Sequence, residues 1–507
     1  MKRRLESGAL VFCAVFAAAL LVYGPLFFAA VFGDDPRLPH DVLRGVLSTR
    51  YFALTGEATY QPLVTLLNHL TRGEPVFSRL ISILLHAVNA LLLWALARRA
   101  GVASKTALAA AVAFAVFPTN TETLAFSSYK GHVLAFGAAE AAVLCWAAML
   151  ESAVPAPWLA GAAAALLFGL LCKESALVAL PLCAAWSVCF ARAKPRRRQW
   201  TGAAVLALVA WAYLVWRFGV LEPADFVRRP MPGPLAVLGW YFKTLLLPYP
   251  LCRERVWTSD TVWDVLGAAY FALLWAARRK PRALFASLWI GACCLPFLRL
   301  VPFAGDNAVA DRFVYGASAG FALLASLALS QGRGPLVLYG LIALWAGEGA
   351  RRDVLYTSAR AFCEQTVACA PDHPRAHAAL AREMIVSGEF EPGKTEALKA
   401  LSLDPRSPGA YNLLGVSEFN LGDADGAQDA LDHALVFDPG SAEARNNIAN
   451  VLLARGFEDE ALEDYEMAAQ LRPDWDAPRQ KAEELRAKIA SEPKTRTPRR
   501  RRRPRHR

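Results

Sequence analysis

Over the first two thirds of this chain the apolar positions neither alternate nor stripe one helical face. They form nearly unbroken runs of roughly 17–25 residues, long enough to cross a hydrocarbon core of about 30 Å. Eleven such runs predict membrane-spanning helices near residues 8–32, 79–97, 106–118, 132–150, 157–172, 175–191, 200–218, 261–277, 283–301, 312–330 and 334–350. The stretch 234–250 is also apolar but holds Pro234, Lys243, Pro248 and Pro250. It is expected to be interfacial or re-entrant, because irregular backbone at membrane depth must be buried in protein or line a cavity. The first run follows Met-Lys-Arg-Arg as a signal peptide would. It extends from Gly8 to Phe32, too long for a signal-peptide core, and reads as a retained helix.

Beyond about residue 350 the pattern changes period. Pro371, Pro405, Pro439 and Pro473 are spaced 34 apart. In the clearest unit Tyr411, Leu414 and Gly415 fall on one helix, Ala427, Leu431 and Ala434 on a second, and Pro439 ends it. A shift of 34 gives Ile448, Ala449, Ala461, Tyr465, Ala468 and Pro473; the reverse shift gives Leu380, Ala381, Ala397, Ala400 and Pro405. This is the period and small-residue pattern of tetratricopeptide repeats, whose units bury their apolar faces only by stacking. The expected fold is all-α: a polytopic transmembrane helix bundle over 1–350 with a large outer loop at 33–78, a tetratricopeptide α-solenoid over 351–490, and a basic, disordered tail over 491–507.

Charge sorts the same way. The 507 residues sum to +11, but residues 1–371 carry +14, residues 372–492 carry −12 and residues 493–507 carry +9. Short loops with Arg98, Arg99 and Lys105, with Arg192, Lys194, Arg196, Arg197 and Arg198, and with Arg278, Arg279, Lys280 and Arg282 belong on the cytoplasmic side. The long loops and the repeats then lie on the opposite side. The Ala- and Arg-rich usage points to a high-GC bacterium, hence an inner-membrane protein with periplasmic repeats; an endoplasmic-reticulum home fits the same topology. The Arg-rich tail, residues 494–507, then meets lipid headgroups or the acidic repeats instead of nucleic acid. Most of the ten cysteines sit inside apolar runs as small hydrophobes, with no disulfide framework and no zinc-site spacing.

Several polar residues stand at span ends. Asp34 and Asp35 follow the first span. A carboxylate there can act as a base on an acceptor, or simply begin a solvated loop. His86 and Asn89 lie three apart on one helix face, and Glu122 follows the third span. Lys130 and His132 open the fourth, Lys173 and Glu174 sit between two apolar runs, and Asp311 and Arg312 open a later span. Charges at such depth are costly and usually face a cavity or a partner. Lys130, Lys173 and Arg312, all on the outer side, suit a phosphate or diphosphate; a solvated turn with local ion pairs is the plainer role for Lys173 and Glu174. Glu140, inside the fourth span, is expected to be a buried hydrogen-bonding residue.

The first-loop Asp-Asp and the stretches TYQPLVTLLNHL, LLHAVNALL, FPTNTETLAF, YKGHVLAF, LLCKESALVALPL and ADRFVYGASAG occur in an order that resembles the transmembrane and tetratricopeptide-repeat proteins. These look like C-type glycosyltransferases, and eukaryotic members are associated with protein O-mannosylation. The resemblance covers the chain apart from the tail. It implies a polyprenyl-phosphate-linked sugar as donor and a catalytic acid at Asp34 or Asp35. It also implies a Lys-Glu step at Lys173 and Glu174 and an acid-Arg pair at Asp311 and Arg312. Gln61, Asn120 and Lys130 depart from the Arg, His and Arg usual there, and Lys lacks Arg's bidentate fork. The expected activity is transfer of a sugar, mannose on the resemblance, to a protein hydroxyl outside the cytoplasm. The repeats would hold the acceptor, and no resident cofactor is implied; a divalent-metal requirement is left open. A non-catalytic membrane-anchored scaffold is the alternative. A transporter ranks last, since neither an inverted repeat nor paired broken helices is visible.

Overall fold

The computed structural model describes residues 2–28, 63–64, 66–67, 75–126, 129–191, 196–220, 233–249, 261–298, 309–473 and 475–491. Asp34, Asp35, Gln61 and the basic tail lie outside them. Among the described residues the chain is helical throughout, and it divides into two compact units, Met1–Ser358 and Ala359–Arg507.

In the first unit the helices are α1 (Lys2–Tyr23), α2 (Pro75–Arg99), α3 (Ser104–Ala115), α4 (Asn120–Ala125), α5 (Lys130–Glu151), α6 (Ala156–Cys172), α7 (Ala179–Phe190), α8 (Arg196–Val220), α9 (Pro234–Leu246), α10 (Thr261–Ala277), α11 (Pro281–Cys294), α12 (Tyr315–Ala328) and α13 (Gly334–Tyr356). Each of the eleven apolar runs is largely helical over its described residues. Among the described residues four segments are long and apolar enough to cross a membrane: Gly8–Phe28, Val76–Arg99, Lys130–Glu151 and Arg196–Arg217. Their outward side chains include Leu21 at 82% exposure, Trp200 at 75% and Trp211 at 63%. Such a display of apolar surface fits membrane association. The run expected at 106–118 differs: α3 has 12 residues, about 18 Å of helix, short of a full crossing. It stops because Pro118 cannot donate to the helix ladder, and the chain turns into α4.

Within the stretch 234–250, residues 234–246 form a regular, largely buried helix, α9, paired closely with α10. Two glycines set that distance. A Cβ on Gly239 would lie 1.8 Å from the Trp263 carbonyl oxygen, and one on Gly267 would lie 2.2 Å from that of Leu235. The expected irregular backbone is absent here because the prolines fall at the helix start and beyond its end, where a missing N–H costs nothing.

The second unit consists of α14 (Ala359–Cys369), the pairs α15 (Pro374–Val386) with α16 (Phe390–Leu403), α17 (Pro408–Asn420) with α18 (Ala424–Phe437), α19 (Ala442–Ala454) with α20 (Glu458–Leu471), and α21 (Asp476–Ser491). The second helix of each pair ends two residues before Pro405, Pro439 or Pro473. The turn inside each pair carries Gly388, Gly422 or Gly456 at φ of 80°, 91° and 81°, a left-handed conformation that costs glycine least. The Ser407 and Ser441 side chains accept from the Ala410 and Ala444 N–H groups, capping α17 and α19. Ala427, Leu431, Ile448, Ala449, Ala461 and Tyr465 share one core cluster, and Ala381, Ala397 and Ala400 another. The 34-residue period therefore fixes capping, turns and core alike.

Candidate functional site

Charge inside the first unit gathers at α4, whose residues are all buried. Glu122 Oε1 accepts from the Arg312 guanidinium at 2.8 Å, and its Oε2 accepts from the Arg312 backbone N–H at 3.2 Å. Burial pushes the Glu122 carboxyl up, and Arg312 opposes that shift. The Arg312 guanidinium also lies 4.8 Å from the ring centres of Tyr129 and Phe313, within cation–π range. Asp311, one residue earlier, turns the other way and accepts from Arg352 at 3.0 Å. Arg352 also donates to the Pro118 carbonyl at 3.5 Å, and Arg79 Nε donates to the Ala125 carbonyl at 3.3 Å. Two crossed ion pairs thus tie α4, the turn 311–314 and the end of α13 together. Next to Arg352, Asp353 is fully buried, with Thr121 and Arg352 the groups that act on its carboxylate. Burial pushes its pKa well above the ordinary range, and the nearby Thr121 and Arg352 offset only part of that rise.

Beside this knot lies a small cleft lined by His132 and Phe136 of α5, Ser175, Phe297, Arg312, Phe313 and Tyr315. Lys173 and Arg312 both lie close enough to His132 to act on it electrostatically. Phe297 and Phe313 stack at 4.4 Å between centres. The cleft is therefore aromatic along its wall and cationic at its edge.

Behind Tyr315 sits a polar network. His86 Nε2 faces the Ala115 carbonyl at 3.2 Å, and a carbonyl only accepts, so Nε2 carries the proton. Nδ1 then accepts from the Tyr315 hydroxyl at 2.8 Å. Asn89 donates to that hydroxyl at 3.1 Å and to the Val133 carbonyl at 2.9 Å. Gly137 makes room: a Cβ there would lie 2.2 Å from the Asn89 amide oxygen.

Of the residues singled out in the sequence, His86, Asn89, Glu122, His132, Lys173, Asp311 and Arg312 gather at or behind the cleft, and Lys130 is fully buried at the start of α5. Asp311 and Arg312 do not pair with each other, and neither is Glu174 paired with Lys173: Glu174 accepts from Arg217 of α8 at 2.6 Å. Neighbours in a turn point apart, so each finds a partner from another element. Glu140 is buried as expected, but among the described residues neither of its oxygens finds a hydrogen-bond partner. Arg79, Arg217, Tyr315, Arg352 and Asp353 were not anticipated; the run Glu348, Arg351, Arg352, Asp353 just past an apolar stretch was the available signal. Cys369 is disulfide-bonded, where no disulfide framework was expected, while the other eight cysteines among the described residues are free thiols.

No family model and no curated protein matches the sequence. Solved structures of tetratricopeptide proteins are similar over part of it. The first TPR domain of human RPAP3 is 17% identical over 24% of this chain and 95% of that one, with a TM-score of 0.23. A thermophilic TPR protein in Thermus thermophilus is 21% identical over 34% and 93%, with a TM-score of 0.24. A Thermobaculum terrenum O-GlcNAc transferase is 27% identical over 22% of each chain, with a TM-score of 0.22. The chain's own 34-residue period and helix pairs carry its assignment as a tetratricopeptide-repeat protein, and such stacked repeats form extended surfaces for protein partners.

Proposed function

We propose that this protein is a multi-pass membrane glycosyltransferase. It moves a sugar from a polyprenyl-phosphate donor to a protein hydroxyl on the non-cytoplasmic side, and its repeats hold the acceptor. The observation that carries this is an aromatic-walled cleft lined by His132 and Arg312, with Lys173 close enough to act on His132 electrostatically. A phosphate needs fixed positive donors, and the apolar wall suits the first units of a lipid tail. In the reaction the acceptor oxygen bonds to the anomeric carbon as the bond from that carbon to the phosphate oxygen breaks. The leaving phosphate keeps the electron pair, Lys173 and Arg312 offset its charge, and Asp34 or Asp35 takes the hydroxyl proton. The disulfide at Cys369 supports an oxidising compartment for the repeats.

The test is binding of a labelled polyprenyl-phosphate sugar to the full-length protein. Lys173→Ala and Arg312→Ala should each weaken donor binding and leave acceptor-peptide binding unchanged. A charge-assisted hydrogen bond contributes roughly 1.5–3 kcal/mol, or about 10–150-fold in affinity. Wild-type donor affinity in both variants would relegate the two residues to structural pairing. A second reading, a non-catalytic membrane-anchored scaffold, is favoured by the engagement of Arg312 with Glu122. It requires partner capture by the repeats with no transfer to any hydroxyl.

A further inference from the structure

The second helices of the last two repeat pairs carry matching exposed stripes. Asp429, His433 and Phe437 stand at i, i+4 and i+8 on one face of α18. Glu463, Met467 and Leu471, 34 residues on, hold the same positions on α20. All six are exposed, Phe437 at 39%, Met467 at 42% and Leu471 at 44%. Asp429 and Glu463 make no ion pair among the described residues.

On α18 the stripe is aromatic. The His433 and Phe437 rings lie offset against Tyr411 of α17, 5.2 and 5.8 Å between centres and with planes within 22°. Tyr411 thus braces two outward rings. The three positions hold His377, Lys399 and Leu403 one repeat earlier, and Arg445, Met467 and Leu471 one repeat later. Only the middle repeat carries rings at all three, so stacking of the solenoid does not require them.

Ring faces beside carboxylates suit a flat cation. A guanidinium stacks on a ring and donates from its edge to a carboxylate. An apolar partner would leave the acids unmet, and residues 372–492, which sum to −12, would repel a polyanion. The chain itself holds the matching segment: residues 493–507 contain eight arginines, one lysine and no acid. The segment starts nearby, because Lys488 near the end of α21 pairs with Glu458 at the start of α20 at 2.8 Å. From Ser491 to Arg507 the chain can extend over about 50 Å. Three helix spacings of about 8–10 Å separate α21 from α18, well within that reach.

We propose that residues 493–507 dock on this face of α18 and α20, with arginines stacked on His433 and Phe437 and paired with Asp429 and Glu463. The contact involves the repeats and the tail alone, so it stands or falls independently of the transferase reading. It makes the tail an intramolecular competitor of any other arginine-rich polypeptide that reaches the stripe.

The test compares the full-length protein with a chain truncated after Glu492, both in non-ionic detergent micelles. The probe is a fluorescein-labelled peptide of residues 493–507, read by fluorescence anisotropy. The truncated chain should bind it, and the full-length chain should bind about ten-fold more weakly or worse, because its own tail occupies the stripe. A peptide with lysine for every arginine keeps the charge but loses the stacking, and should bind about five-fold more weakly. His433→Ala with Phe437→Ala should cost about ten-fold and abolish that preference. Asp429→Asn with Glu463→Gln should cost about five-fold at low ionic strength and almost nothing near about 1 M salt. In the full-length chain, trypsin should cleave the tail faster in either double variant than in the wild type, a readout that needs neither truncation nor added peptide. Equal binding of the arginine and lysine peptides, or affinity and cleavage untouched by both double variants, overturns the proposal. A peptide that ignores the truncated chain overturns it too, and its binding to phosphatidylglycerol vesicles instead would assign the tail to lipid headgroups.

Discussion

Replacing Arg312 by alanine separates a structural from a functional role in one experiment. Glu122 is fully buried, and the Arg312 side chain is 13% exposed at 2.8 Å from it. Removing the guanidinium leaves the Glu122 carboxyl as an unpaired buried charge or forces a proton onto it. Breaking a buried pair from one side typically costs about 3–5 kcal/mol. Glu122→Gln alone leaves Arg312 partly solvated and should cost less. In the double variant the stranded charge is gone, so stability should recover by about 2 kcal/mol or more relative to Arg312→Ala alone. The assay is a double-mutant cycle on apparent unfolding of detergent-solubilised protein, followed by the Tyr129 and Trp fluorescence of the first unit. Donor affinity measured on the same proteins should not recover in the double variant, since the phosphate has still lost its arginine. Additive destabilisation would refute the ion-pair account, and recovery of donor affinity with stability would refute the phosphate role.

Asp34→Asn with Asp35→Asn should lower transfer about 10²–10⁴-fold with folding unchanged, the usual cost of losing a positioned base; full activity in the double variant removes both from the mechanism. Gly239→Ala should lower the melting temperature, because its methyl would collide with the Trp263 carbonyl, a backbone atom that cannot rotate away. Overpacking of this kind costs about 1–3 kcal/mol, and an unchanged melting temperature would mean that α9 and α10 are not in contact. Asp353→Asn should stabilise the protein at neutral pH. The folded-state pKa of Asp353 is raised, so its carboxyl lowers stability as pH climbs above the unfolded value of about 3.9. The gain from the variant should therefore shrink as pH falls toward about 4; a gain independent of pH would contradict the burial argument.

The repeats were the most legible part of the sequence. A period of 34 carries prolines, turn glycines and small core residues together, so each position is specified several times over. The apolar runs marked helix just as clearly but not its length. Hydropathy did not register that Pro118 ends α3 after 12 residues, nor that Gly239 and Gly267 let α9 bury itself. At the site, the span-end charges are legible in the sequence as polar positions, but their ion-pair partners are not. Asp311 and Arg312 are adjacent in sequence but face opposite sides of a tight turn, so each pairs with a residue far along the chain. Arg352 completes that arrangement from the end of α13, where the charged run Glu348, Arg351, Arg352, Asp353 marks a polar end to the span without naming its partners.

The central claim is sugar transfer, and it is tested by incubating purified full-length protein with radiolabelled polyprenyl-phosphate mannose and a Ser/Thr-rich peptide, then locating the label. The account predicts label on a peptide hydroxyl, lost in the Asp34→Asn, Asp35→Asn double variant and sharply reduced in Arg312→Ala. Peptide that binds the repeats yet stays unlabelled with mannose and with other polyprenyl-phosphate sugars would contradict it, and would mark the protein as a scaffold.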